Sequence, residues 1–527
     1  LDVARAFDGI WHSGLFKVMN DFGIDEKMLR IIMNSFQDFK CCVSIGGVCS
    51  DFFQPELGLH QGAPYSMLGF CILNEMLLRP LTQSPYSIHI QDICLSCSAY
   101  ADDLTLIAIS GRALQKLLDI VHDFSHKWRL SFNPTKCKII VYGTDKSSKT
   151  RFRLGPDEIE RCSVHLHVGT VMSSSSREIS RHMKDKIDKC KRISYAIPAI
   201  GSRRAPVTPI SASHVFKSIC ISKLLYGVEM MSLPASIIID LETYQASVAK
   251  LLQGLPDNTS NLGALRMMGW ISIKSQIDYN KLVFLWRLIN LPMKNIYKRL
   301  LLKRYCYLTN DQTDRSEGPL YSFLKVADKY DVTEIVIRAI EGEECMSLTS
   351  WKKLVKLLVT ERDERSWLIN SQLYVSLDIV RISISRSVVS GWWIFVQHNP
   401  NYFYKCKIII RLILCVHQLS SGNSRYTGDS TTLCQVCEDY CYEDICHFMF
   451  QCKSLERTRK TLWDEVMDSC PSRILRDEIL GMNVKEKSTF IITGLMNCYT
   501  LEWNEFFCRI CDFIYKLYML RISLSSV

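Results

Sequence analysis

Two adjacent aspartates, Asp102 and Asp103, sit between runs that suit β-strands: one ending at Tyr100, the other Leu104 to Ile109. The stretch SAYADDLTLIA therefore reads as a hairpin whose tight turn holds both acids. Two bare carboxylates at one turn repel each other, and a divalent cation such as Mg²⁺ relieves that cost. An isolated Asp-Asp pair is more often a solvated acidic turn. Other stretches of this chain supply what an isolated pair lacks.

Leu1 to Val3 is strand-like, and Asp2 on it would face the same place as Asp102. One carboxylate from a strand and another from a hairpin turn are the minimum protein ligands for two cations about 3.5–4 Å apart, the arrangement that drives phosphoryl transfer. Asp8 reads as an N-cap for the helix that follows. Helical patterns run from about Ser13 to Phe22 and from Asp25 to Phe36, and residues 41–53 form a hairpin turned at Gly46-Gly47. GLHQGAPYSMLGF (58–70) opens an apolar helix carrying Leu68, Ile72, Met76 and Leu77 on or near one face. Residues 112–128 place Leu114, Leu117, Leu118, Val121, Phe124 and Trp128 at helical spacing. A turn at Asn133-Pro134 then leads into a strand with Lys136 at its start. This order predicts an α+β layer: an antiparallel sheet with helices on one face.

The chain has 527 residues, enough for two to four domains, and 47% of them are hydrophobic, as a folded protein requires. Its 64 basic and 54 acidic residues leave a net charge of +10 whose location matters more than its size. The 23 cysteines are scattered in apolar surroundings with no secretory signal ahead of them, so we expect reduced thiols in an intracellular protein, nuclear or cytoplasmic. No apolar run is long enough to span a membrane. The sequence starts at Leu1, inside a strand, which reads as a fragment.

Four segments in order resemble the reverse transcriptases. LDVARAFD is similar to their motif A, GLHQGAPYSML to motif B, YADD to motif C and LSFNPTK to motif D, while VHLHVGT (164–170) looks like the motif E strand. The inserts and the style of motif B resemble the non-LTR, LINE-type retrotransposon enzymes. The resemblance implies an RNA-directed DNA polymerase with a palm over residues 1–172 and its fingers missing. Asp2 and Asp102 would hold two Mg²⁺ ions, with Asp103 the second acid of its motif. Phe7 would be the steric gate against a ribose 2′-OH, Gln61 and Gly62 would position nucleotide and template base, and Arg5 would lie near the triphosphate. Lys136 would assist pyrophosphate departure as a general acid. The substrates implied are an RNA template, a DNA primer and deoxynucleoside triphosphates. Two departures stand out: Ser66 is followed by Met67 where the family has proline, and motif E shows His167 and Val168 before its glycine. With one residue ahead of Asp2, fraying would misplace that ligand, so we expect this chain to be catalytically impaired.

Beyond the palm, residues 177–204 carry nine basic side chains against three acids, on a helix whose stripe is Ile179, Met183, Ile187 and Cys190. By position this is a thumb (173–240) that would grip nucleic-acid phosphates through Arg177, Arg181, Lys184 and Lys191. Arg203 and Arg204 close the run. Residues 241–420 read as a helical connection with no identifiable chemistry, and Glu341, Glu343 and Glu344 within it as a solvated turn. Cys434 and Cys437, with His447 and Cys452, have the spacing of a structural Cys₃His zinc site within a knuckle (421–456), and Cys441 and Cys446 are spare candidates. Such knuckles occur downstream of the polymerase in LINE-type proteins. A helical tail (457–527) completes the chain. A second reading stays open, a non-catalytic remnant or co-opted protein that binds nucleic acid through thumb and knuckle.

Overall fold

The computed structural model describes residues 1–527 except 38, 144–149, 202–206, 311–317, 344–345, 384–388, 420–431, 438–440, 494–502 and 526–527. Arg203, Arg204 and Glu344 therefore lie outside the described residues. The chain divides into two compact units, Leu1–Ile179 and Ser180–Val527.

The first unit mixes short strands with long helices. In order it contains β1 (Val3–Ala4), α1 (His12–Asp21), α2 (Glu26–Gln37), β2 (Ser44–Ile45), β3 (Val48–Cys49), α3 (Pro64–Gln83), β4 (His89–Ile90), β5 (Ile93–Cys94), β6 (Cys97–Tyr100), β7 (Asp103–Leu106) and α4 (Gly111–Trp128). There follow β8 (Ser131–Phe132), β9 (Lys138–Ile139), β10 (Phe152–Leu154), β11 (Asp157–Arg161), β12 (Val164–His167) and β13 (Thr170–Ser173). The ladders are antiparallel except for β9 with β11, which run parallel.

Local chemistry accounts for most boundaries. Asp25 caps α2, accepting from the backbone of Lys27 and Met28. Ser110 caps α4 by accepting from Ala113 N, and the helix buries Leu117, Leu118, Val121, Phe124 and Trp128 while Leu114 is half-buried. The β2–β3 turn has Gly46 and Gly47 at φ 59° and 86°, the paired left-handed geometry of a type I′ hairpin. On α3, Ile72 and Leu77 are buried, but Leu68 is 56% exposed and belongs to the outer face. Motif E is a hairpin rather than a lone strand: β12 pairs with β13 around Val168 and Gly169, both at positive φ. Lys136 lies two positions before its strand, since β9 begins at Lys138.

The second unit is helical. It opens with α5 (Ser176–Ala196), whose first turn still belongs to the first unit, and its larger apolar core gathers Met183, Ile187, Trp270, Trp392 and Trp393 with the C-terminal helix Asn504–Ser525. A second core joins the helices Ile273–Ile289, Pro319–Lys329 and Leu348–Ser371 around stacked Trp286 and Trp351. Among the described residues, no helix is long and apolar enough to cross a membrane, and no described cysteine forms a disulfide.

Candidate active site and metal centre

Asp2 is held by the backbone on both sides. Asn133 N donates to Asp2 O at 2.9 Å, Val3 N to Asp102 O at 3.4 Å, and Leu104 N to Leu1 O at 3.0 Å. Strand β1 also pairs with β8 through Val3↔Phe132. Residue 2 is thus the inner position of a ladder in which one isolated bridge joins the β8–β1 pair to the β7–β6 pair.

That ladder fixes which acids meet. Asp2 and Asp103 form an isolated antiparallel bridge. The hydrogen bonds flank this pair instead of joining it, so it is the narrow kind, with Cα atoms roughly 4.5 Å apart and side chains on one face. Asp103 rather than Asp102 therefore stands directly across from Asp2. Asp102 lies one residue away in the two-residue turn, behind Ala101 at φ 52°. Left-handed alanine is uncommon, and Asn74 on α3 steadies the turn by donating to Ala101 O at 2.7 Å. Sequence reasoning missed Asn74, although it lies one turn of helix before Leu77 and Leu78 on the segment that motif B opens.

Two like charges across a narrow pair destabilise it unless a cation intervenes. Lys136 Nζ approaches Asp2 Oδ2 at 3.4 Å. An Asx turn aims it: Asn133 Oδ1 accepts from Thr135 N, and Lys136 N donates back to Asn133 O. Among the described residues, the set of three or more potential metal donors lying within 4.8 Å of one another is elsewhere, at residues 434–452. Asp2, Asp102 and Asp103 are neighbours along the ladder without reaching that closeness.

The remaining motif residues surround this ladder. Phe7 is half-buried and stacks on Phe70 of α3, with centroids 5.4 Å apart. Gln61 Nε2 donates to Asp8 Oδ1 at 3.0 Å, tying motif B to motif A. Asp8 is therefore a partner of Gln61 and not the cap of α1, whose N-cap is Trp11. Gly58 N donates to Ile10 O, and a Cβ on Gly58 (φ 99°) would meet Asp8 O at 3.0 Å, so glycine is required for this approach. Gly62 also has positive φ, at 92°, just before α3, and Arg5 is exposed at φ 50°. His167 Nε2 lies 3.0 Å from Thr105 Oγ1, linking the motif E hairpin to β7.

With this geometry in view, the comparisons with known proteins are specific. Residues 1–161 match the family model described as reverse transcriptase (RNA-dependent DNA polymerase). Residues 1–161 form a reverse transcriptase domain. Its kind is that of the non-LTR, LINE-type elements, because the similar curated proteins are of that type. The chain is 25% identical over 247 residues to a Pol polyprotein from the retrotransposable element R2DM of Drosophila melanogaster, covering 45% of this chain and 22% of that one. It is 23% identical over 247 residues to an R2 element polyprotein of Popillia japonica, covering 45% and 39%. It is 25% identical over 274 residues to the RNA-directed DNA polymerase from mobile element jockey of Drosophila melanogaster, covering 49% and 28%. The chain therefore spans well under half the length of the relatives it matches.

Helix α5 exposes Arg177, Arg181, Lys184, Lys189, Lys191 and Arg192 while burying Met183, Ile187 and Cys190. Two of the cations have internal partners: Lys184 pairs with Asp240 at 3.8 Å and Lys191 with Asp188 at 3.0 Å. Lys186 is buried, which together with nearby Lys223 holds its ammonium below the usual lysine range.

The second cluster is tight. Ligand atoms of Cys434, Cys437, His447 and Cys452 lie within 4.8 Å of one another, and all four residues are buried. A π-turn over His447–Gln451 sets His447 and Cys452 on one side, with Cys452 N donating to His447 O at 2.8 Å. Cys437 Sγ is 3.5 Å from His447 Nε2. Cys441 is exposed and Cys446 stands outside the set. Behind Cys434 lies a support that sequence reasoning did not find. Cys434 Sγ is 3.7 Å from Glu443 Oε1, and Glu443 forms a doubly hydrogen-bonded, buried ion pair with Arg521 of the C-terminal helix, both contacts 2.7 Å. Burial pushes the Cys434 thiol up to about 12, so a cation is the means by which this cluster would hold thiolates.

Proposed function

We propose that the first unit is the nucleotidyl-transfer centre of an RNA-directed DNA polymerase from a LINE-type retrotransposon. The observation that carries this reading is the bridge between Asp2 and Asp103, with Asp102 beside them and Lys136 at 3.4 Å from Asp2. Opposed carboxylates on a narrow pair are a donor set for hard divalent cations. Asp2, Asp102 and Asp103 would hold Mg²⁺, which supplies activation of the attacking 3′-hydroxyl and charge neutralisation at the leaving phosphate. The chain's own residues do the rest. Lys136 offers a proton to the departing pyrophosphate. Phe7, fixed by its stack on Phe70, presents a rigid ring that crowds a ribose 2′-OH and so favours deoxynucleotides. Gln61, anchored on Asp8, and Gly62, at the entry to α3, shape the floor under the nucleotide. Arg5 is exposed and available to a triphosphate. The substrates would be an RNA template, a DNA primer and deoxynucleoside triphosphates.

The second unit would hold the nucleic acid and a structural ion. Arg177, Arg181, Lys184 and Lys191 on α5 would contact phosphates without reading sequence. Cys434, Cys437, His447 and Cys452 fit Zn²⁺. Sulfur and nitrogen ligands at about 2.3 and 2.0 Å from one tetrahedral ion sit roughly 3.5 Å apart, and the Cys437–His447 separation is 3.5 Å. Four protein ligands leave no open position, so the ion would be structural.

Primer extension on an RNA template with Mg²⁺ tests the polymerase reading. Incorporation by the chain should fall at least about 1,000-fold in Asp103→Asn and in Asp2→Asn, a loss typical of removing essential charge from a transition state. Incorporation indifferent to both substitutions would overturn it.

A further inference from the structure

The second unit contains a cavity of about 460 Å³ that the polymerase reading does not use. One wall is a single face of the helix Ile273–Ile289, where Gln276, Tyr279, Asn280, Val283 and Arg287 recur at helical spacing. The facing wall is the segment from Lys217 to Glu229, which begins with a π-turn at Lys217–Ile221, a feature frequent at functional sites. Lys352, from the helix Leu348–Ser371, closes a third side.

The lining is chemically lopsided. Lys217, Arg287 and Lys352 converge on it with Glu229 as the one acid. Among the described residues, no carboxylate lies within ion-pair distance of any of these three cations. Burial, and after it the neighbouring Lys356, holds the Lys217 ammonium below its ordinary range. Tyr226 is 53% exposed at the rim, and Tyr279 is half-buried within. Lys217 Nζ lies 5.7 Å over the Trp270 ring, and cations without a carboxylate partner beside an exposed aromatic ring are the combination that holds single-stranded nucleic acid: phosphates meet the charges and a base stacks on a ring. A helix-face amide pair, Gln276 and Asn280, adds donors and acceptors that could meet a base edge. The volume falls at the small end of ligand sites, suited to one unit of a strand and too small for a duplex.

We propose that this cavity binds an unpaired nucleotide of a single-stranded nucleic acid, with its phosphates at Lys217, Arg287 and Lys352 and its base against Tyr226. The choice of a nucleic-acid strand among polyanions rests on the reverse transcriptase reading. It adds a second contact, distinct from the α5 surface and from the aspartate ladder.

The test is fluorescence anisotropy with the full chain, a labelled 12-nucleotide single-stranded RNA, the matching DNA and a blunt duplex, across a KCl series. The double variant Arg287→Ala with Lys352→Ala should bind the single strand at least about 10-fold more weakly and reduce the log–log salt slope by about 1.4, at 0.7 per phosphate contact. Tyr226→Ala should lose about 10-fold with no change in slope, as removal of a stack does. Duplex binding should be unchanged in both. Arg287→Lys with Lys352→Arg should restore the slope, which separates charge loss from misfolding. Unchanged strand affinity, equal loss on the duplex, or displacement of the strand by ATP alone at similar concentration would overturn the proposal. Such a failure leaves the aspartate reading standing, since that is judged by incorporation and this by strand affinity.

Discussion

At the scale of single residues, the account turns on what holds each acid in place. Asn74→Leu removes the donor to Ala101 O and should lower incorporation by one to two orders of magnitude while leaving the melting temperature within a few degrees, because the hairpin tip contributes little to the core. Single-turnover extension alongside thermal unfolding checks that split. Lys136→Ala should slow incorporation by about 100-fold in single-turnover extension, within the usual range for a general acid. Several of these residues were legible in the sequence. Motif spacing pointed to Asp2, Asp103, Lys136 and Gln61, and the structure sets Asp103 and Lys136 against Asp2 and Gln61 against Asp8. Asn74 and Glu443 were not legible, because each acts through a long-range contact, across 27 residues to Ala101 and across 78 residues to Arg521. Nothing local marks an asparagine that will meet a carbonyl on another element.

At the scale of elements, hydrophobic period and turn chemistry gave the helices and the glycine hairpin, and the misses have physical causes. Asp8 has a capping side chain, but the bond to Gln61 claims it and Trp11 stands at the N-cap. The motif E turn was hidden because Val168, a β-branched residue, occupies φ 47° where turn chemistry calls for glycine or asparagine. That strain has a consequence: Val168→Asn should stabilise the protein by about 1 kcal/mol, since asparagine tolerates the left-handed region, and denaturant unfolding would register the gain. Behind the Cys₃His cluster, the Glu443–Arg521 pair is almost fully buried. Arg521→Met would leave a buried carboxylate unpaired, at a cost of about 3–5 kcal/mol. It should also weaken metal retention, because Glu443 stands behind Cys434. Zinc release followed with a chromogenic chelator should be at least about 10-fold faster in that variant.

At the scale of the whole molecule, the two compact units have separate cores, one carrying the aspartate ladder and the other the Cys₃His cluster. Units with separate cores unfold separately unless their interface is strong. Calorimetry should therefore resolve two transitions, and a zinc chelator should lower only the one that belongs to Ser180–Val527, since a bound ion stabilises the unit that binds it. The central claim is narrower: carboxylates set opposite each other by the Asp2–Asp103 bridge bind divalent cations. Mn²⁺ binding followed by electron paramagnetic resonance, in the presence of primer–template and a non-hydrolysable deoxynucleotide, tests it most directly. We predict Mn²⁺ bound to the chain and displaced by Mg²⁺, with affinity falling at least about 10-fold in Asp2→Asn and again in Asp103→Asn. Equal Mn²⁺ affinity in the parent and both variants would contradict the account.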